Sequence, residues 1–260
     1  MRRGIIYREL YLNRKRYISG FATYIALVFI GILIRMSMNF GNLAHADEEV
    51  FKSIDVITYY MFTLTTPIIL IISLAESPEI IVSDYNTNWT GFSYTFPISP
   101  KEMALYKTGI SFTGYLISVI ISIINFCIFC QICECKFDMF NFKIMMIVIF
   151  CFCISTSTEQ ILTYKFKNIT LTQVVTSIIF MAILMAGGLG IAVYMGKAIE
   201  KYAIDMENGD MSGMDIFLDE LTDKLKNFMD VFVIFVPFLT VGIFILEYFF
   251  IKKFLDRREN

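Results

Sequence analysis

The stretch TGISFTGYLISVIISIINFCIFC, residues 108–130, runs for 23 positions without a charged side chain. As an α-helix rising 1.5 Å per residue it spans about 35 Å, enough for a hydrocarbon core of about 30 Å. Helix is the economical conformation there, because an irregular crossing strands backbone N–H and C=O groups in lipid. Working outward, comparable apolar runs occur at 17–38, 54–75, 142–163, 171–195 and 230–251. The expected fold is an all-α integral membrane protein with six transmembrane helices, a single transmembrane domain over residues 1–260.

Composition agrees with this. The chain has 260 residues, of which 57% are apolar and only 18% charged, and its mean hydropathy is +0.64. A soluble domain of ordinary make-up carries about 25% charged residues. A net charge of −2 leaves no basic field, so no nucleic-acid partner is expected. The single histidine, His45, lies outside every apolar run and cannot supply a metalloprotease ligand set or a serine–histidine pair. Cys127, Cys130, Cys151 and Cys153 sit in apolar runs, where cysteine behaves as a small hydrophobe. Cys133 and Cys135 flank Glu134 in a short loop. The cysteines read as free thiols and packing residues, with no metal site.

Orientation follows from the basic residues. Arg2, Arg3, Arg8, Arg14, Lys15 and Arg16 precede the first span. Placing them in the cytoplasm also puts there the loops at 76–107 and 164–170 and the C-terminal tail, with Lys101, Lys107, Lys165, Lys167, Lys252 and Lys253. Both termini are then cytoplasmic, and the acids Asp47, Glu48 and Glu49 fall outside. The first span is too long for a secretory signal, and Ala44-His45-Ala46 lies well past its end, so cleavage is not expected.

Three segments outside the spans carry further information. Residues 1–16 mix Ile5, Ile6, Leu10 and Leu12 with six basic residues, which suits an interfacial helix on anionic lipid; a disordered basic tail is the plainer alternative. In 197–229, Met214, Phe217, Leu218, Leu221, Leu225 and Phe228 recur at helical spacing, with Ser212 and Asp215 as a start signal. An extracellular helix between spans five and six is expected, either as a structural lid or as a substrate or partner contact. In the cytoplasmic loop 76–107, Ser99-Pro100-Lys101-Glu102 is a helix start, with Ser99 as cap, Pro100 in the first turn and Glu102 bonding back. Upstream of it, Ile80–Phe92 is too polar to cross lipid and too apolar for a bare loop, and it holds the only tryptophan, Trp89.

Taken together, the layout resembles the permease subunits of bacterial type-2 ABC exporters. The points of similarity are the basic leading segment, six spans with both ends inside, and the loop series Asp84, Trp89, Pro97-Ile98-Ser99 and Lys107. The resemblance covers the whole chain, though only 76–107 is motif-like. It departs from the family at Tyr85-Asn86-Thr87-Asn88, which lacks the basic residue often found there. The resemblance implies a cytoplasmic coupling helix between spans two and three that docks on a separate ATPase subunit through Asp84, Tyr85, Trp89, Phe92, Pro97, Ser99 and Glu102. It further implies a second permease chain, identical or related, ATP and Mg in the ATPase only, residence in the bacterial cell membrane, and an amphipathic or hydrophobic cargo such as a peptide, antibiotic or lipid. The chain itself is not expected to be an enzyme, because its nearest phosphate-loop-like string, Gly190 to Gly196-Lys197-Ala198, has the wrong spacing and no hydroxyl. A membrane scaffold, channel or sensor subunit is the alternative function.

Within the spans, Glu159 and Glu247 are the carboxylates that need explanation, since a charge at the bilayer centre costs at least about 2.5–3.5 kcal/mol. Each either snorkels to the cytoplasmic interface or, with Ser157, lines a substrate or proton path. Gly187, Gly188 and Gly190 permit close helix approach or a gating kink in the fifth span.

Overall fold

The computed structural model describes residues 2–41, 48–89, 99–132, 139–207 and 212–256. These residues form α1 (Arg2–Phe40), α2 (Glu48–Leu74), α3 (Pro78–Asn86), α4 (Pro100–Ile132), α5 (Met139–Phe166), α6 (Ile169–Glu207) and α7 (Ser212–Asp256). Among the described residues no strand is present. Among the described residues five helical stretches are long and apolar enough to cross a membrane: Gly4–Phe40, Val56–Asn86, Pro100–Gln131, Met139–Phe166 and Glu220–Asp256. Helix α6 opens with a further apolar stretch, Ile169–Ile183.

Two elements differ from the expected boundaries. Residues 2–16 are not a separate interfacial helix; they continue without a break into the first apolar run, giving 39 residues and a length of about 58 Å. No proline interrupts that stretch, and its leucines, arginines and lysine all tolerate helix. Likewise the residues Met214 to Phe228 of the helical segment expected within 197–229 belong to the first part of α7, which runs unbroken for 45 residues. The only proline in α7 is Pro237, well inside the last apolar run. Leu225 and Phe228 are exposed on it.

The helices pack α1 on α2, α2 on α4 and α5, and α5 on α6 and α7, with α4 also against α7. Close approach depends on glycine at two points. A Cβ at Gly20 would collide with the side chain of Ser73, and one at Gly114 would lie 2.5 Å from the backbone oxygen of Leu74. This is small-residue packing of the kind that lipid-embedded helices use. At Gly190 a Cβ would meet nothing within 4 Å, so that glycine makes no close approach within this chain. The surroundings of Gly187 and Gly188 lie outside the described residues.

A core of Tyr59, Tyr115, Phe126, Phe129, Met145, Ile149 and Phe244 joins α2, α4, α5 and α7. Outside it, Ile18, Ile25, Phe29, Ile178, Ile234 and Phe238 are exposed. Such continuous apolar surface is a liability in water and ordinary in lipid.

Candidate functional site

Helix α3 is nine residues long and owes its position to the chain on both sides. Ser77 holds an extended N-cap conformation, Pro78 supplies the first turn, and Glu79 adds a carboxylate where the helix dipole favours one. The Ser77 amide donates to Asn13 Oδ1 at 3.2 Å, while Asn13 Nδ2 donates to the Glu9 carbonyl at 3.0 Å. An asparagine on α1 thus caps α3. The helix ends at Thr87, and Asn88 follows with φ of 56°, a left-handed position that asparagine tolerates. Ile81, Val82 and Asp84 are buried, whereas Ser83, Asn86, Thr87 and Asn88 face outward.

Beneath α3 lies a buried ion cluster. Arg8 meets Asp84 through both guanidinium nitrogens, one donating to Oδ2 at 3.1 Å and the other to Oδ1, and also pairs with Glu9 at 2.9 Å. This two-pronged geometry is the strong form of the arginine–carboxylate contact. Lys107 Nζ lies 2.7 Å from Glu76 Oε1, 3.5 Å from Glu9 Oε1 and 4.0 Å from Asp84 Oδ2. Glu9 and Glu76 are each 3% exposed and Lys107 6%. One carboxylate oxygen of Glu9 and one of Glu76 has no hydrogen-bond partner. Charges so buried are tolerated only while paired, so the cluster locks α1, the end of α2, α3 and α4 into one arrangement. An apolar layer of Ile81, Met103, Ala104, Tyr164, Ile251 and Leu255 packs beside it.

The residues expected at a docking contact divide between inside and outside. Asp84 is spent on Arg8. Tyr85 packs edge-on against Tyr164, centroids 6.3 Å apart, and Trp89 lies beneath Arg8, whose guanidinium carbon is 4.2 Å from the ring centroid. Phe92 and Pro97 lie outside the described residues. Ser99 and Glu102 form the reciprocal cap: the Glu102 amide donates to Ser99 Oγ at 3.2 Å and the Ser99 amide to Glu102 Oε2 at 3.4 Å.

Glu247 and Glu159 have different surroundings. Glu247 is 0% exposed and does not reach the surface. With the Gln160 amide oriented to suit its neighbours, Nε2 donates to Glu247 Oε1 at 2.8 Å and Oε1 accepts from the Glu76 amide at 3.2 Å. Ser111 Oγ also meets the Gln160 amide, and the Ser157 hydroxyl bonds to Glu247. A polar thread therefore runs from the ion cluster into the bundle between α4, α5 and α7. Glu159, by contrast, is half-buried in the wall of an open cleft of about 710 Å³, shared with Asn13, Lys15, Arg16, Glu79 and Gln173. Arg16 donates to the Ile72 carbonyl at 2.5 Å, satisfying an acceptor that the end of α2 leaves orphaned.

Sequence reasoning missed Glu9, Asn13, Glu76 and Gln160. A signal existed for two of them: Glu9 is an acid inside a basic segment, and Glu76 directly ends an apolar run. Among the described residues no cluster of histidine, cysteine or carboxylate side chains could hold a metal, and Cys127, Cys130, Cys151 and Cys153 are free thiols. The chain matches no known protein family, no characterised protein and no solved structure.

Proposed function

We propose that this chain is the transmembrane subunit of an ATP-driven exporter, with six spans, both ends in the cytoplasm, and a second permease chain completing the path. The observation that carries the reading is α3, a short helix with an outward polar face, fastened to α1 and α4 by buried ion pairs and, through the same cluster, to the segment that ends α2. A push delivered to a loosely tethered loop is absorbed locally. A push on α3 reaches α1, α2 and α4 together, which is what a rocking transition between inward- and outward-open states requires. In this reading a separate cytoplasmic ATPase grips Ser83, Asn86, Thr87 and Asn88, and the Arg8–Trp89 stack stiffens the end of the helix. The ATPase binds ATP and Mg, while this chain binds neither. Glu159, facing the cleft, is the path residue kept in this reading, while Ser157 is buried against Glu247; the cargo is an amphipathic molecule.

Co-purification from native membranes is expected to recover a soluble ATPase with the chain. The double substitution Asn86→Arg, Thr87→Glu is expected to reduce that recovery roughly tenfold while leaving membrane insertion intact, since both side chains face outward. Recovery of the chain alone from repeated gentle extractions, or full ATPase recovery with the double variant, overturns the docking assignment.

Topology is tested separately. In a background with the native cysteines replaced, Thr90→Cys is expected to resist a membrane-impermeant thiol reagent in intact cells, and Asp210→Cys to be labelled. The reverse pattern would place α3 on the wrong side for an ATPase.

A further inference from the structure

The cleft beside α3 has a property that the exporter reading does not use. Lys15 and Arg16 on α1 and Glu79 on α3 and Glu159 on α5 all line it, two cations and two carboxylates, and no ion pair joins any of them. Arg16 donates to the Ile72 carbonyl with one of its nitrogens and lies within electrostatic reach of both Glu79 and Glu159, while Lys15 and Glu79 are exposed. Charges of both signs around one partly enclosed space match a ligand that carries a phosphate and an ammonium together. The volume, about 710 Å³, lies within the range of small-molecule sites. Its walls also carry Leu12, Ile72, Ile80 and Ile169, and Ile72 is exposed toward the helix surroundings.

We propose that this cleft binds the headgroup of a zwitterionic aminophospholipid, with the phosphate toward Lys15 and Arg16 and the ammonium toward Glu79 and Glu159. The level of the cleft selects a lipid over a soluble zwitterion. Lys15 and Arg16 immediately precede the apolar run 17–38, and Glu159 lies four residues from the end of the run 142–163, which places the charges in the headgroup layer. The chains of such a lipid extend along Ile72 and Ile169 into the bilayer. An ammonium with N–H donors satisfies both carboxylates; a glycerol headgroup has no cation to offer them, and a quaternary ammonium has no donor. The inference rests on the membrane placement of the helices and stands whether or not an ATPase partner exists.

The test uses the full chain, delipidated in detergent and titrated with dioleoyl lipids carrying ethanolamine, glycerol or choline headgroups, with bound lipid counted by native mass spectrometry. The ethanolamine lipid is expected to be retained about tenfold more than the glycerol lipid, the worth of one charge-assisted contact. Glu159→Gln and Glu79→Gln are expected to abolish that preference together, and Lys15→Gln to weaken retention of all phosphate-bearing lipids. These three side chains hold no ion pair, and an unchanged melting temperature confirms that each variant is folded. Arg16 is left in place because it caps α2. Equal or greater retention of the glycerol lipid identifies a mere basic patch and overturns the proposal. Survival of the preference in the Glu79→Gln, Glu159→Gln variant overturns it too. Displacement of the lipid by equimolar glycerophosphoethanolamine shows that the chains contribute nothing, and replaces the lipid with a soluble zwitterion.

Discussion

Lys107→Met is expected to destabilise the folded chain by about 3–5 kcal/mol, because it removes a cation from a buried cluster and leaves the Glu76 carboxylate uncompensated. The lysine lies within 4.0 Å of Glu76, Glu9 and Asp84, and among the described residues it is the cation paired with Glu76. Methionine fills similar volume, so the loss is electrostatic and not a cavity. The companion substitution Glu76→Gln is expected to return much of the deficit, since an unpaired neutral amide costs far less to bury than an unpaired carboxylate. Melting temperatures of the purified single and double variants in one detergent supply the cycle. A Lys107→Met protein that melts with wild type would mean that water reaches the cluster, and that α3 is not locked as described.

That cluster marks where sequence reasoning stopped. Long uncharged runs declare themselves, because lipid imposes one rule on every residue in them. Ser99 and Glu102 were legible for a similar reason: a reciprocal cap is local, closed within four residues, and the structure forms it. From its neighbours in the loop Asp84 reads as an outward contact residue, yet its partner is Arg8, 76 positions away. No spacing rule reaches that far. The basic segment, read as a lipid-facing strip, spends Arg8 inside the protein and Arg16 on a helix end. Positive charge near a membrane has an obvious customer in anionic lipid, which hides the possibility that particular members serve the fold. Glu247 shows the same limit. Its helix position suggested the interface, but Gln160 and Ser157 hold it at 0% exposure.

The pairing of Asp84 changes how coupling would work in the proposed exporter. If the acid met the ATPase directly, its loss would weaken association. Held by Arg8, it fixes the tilt of α3, so its loss should leave association largely intact and uncouple hydrolysis from movement of the spans. The exposed residues Ser83, Asn86 and Thr87 then carry recognition, which fits the absence of a basic residue between Asp84 and Trp89. Recognition without charge depends on shape, and shape depends on α3 being rigid.

Rigidity is also why the second large effect falls on a glycine. Gly114→Ala is expected to destabilise the chain by about 2 kcal/mol, whereas Gly109→Ala, one turn earlier on the same helix, should be neutral or stabilising by up to about 1 kcal/mol. Both replace glycine in the interior of α4, where alanine is intrinsically preferred. The sign differs because a Cβ at 109 meets open space, while one at 114 meets the Leu74 backbone oxygen at 2.5 Å. A side chain could rotate aside; a helix-terminal carbonyl cannot, so α4 must move away from α2. Lys107 stands two turns before Gly114, and Glu76 two residues after Leu74, so the same displacement lengthens the Lys107–Glu76 contact. The Gly114→Ala protein should therefore lose part of the stabilisation that Lys107 supplies, and the penalty of Lys107→Met should shrink in that background. Paired thermal denaturation of the two alanine variants decides the matter: equal shifts at 109 and 114 would mean that α2 and α4 do not meet at this point.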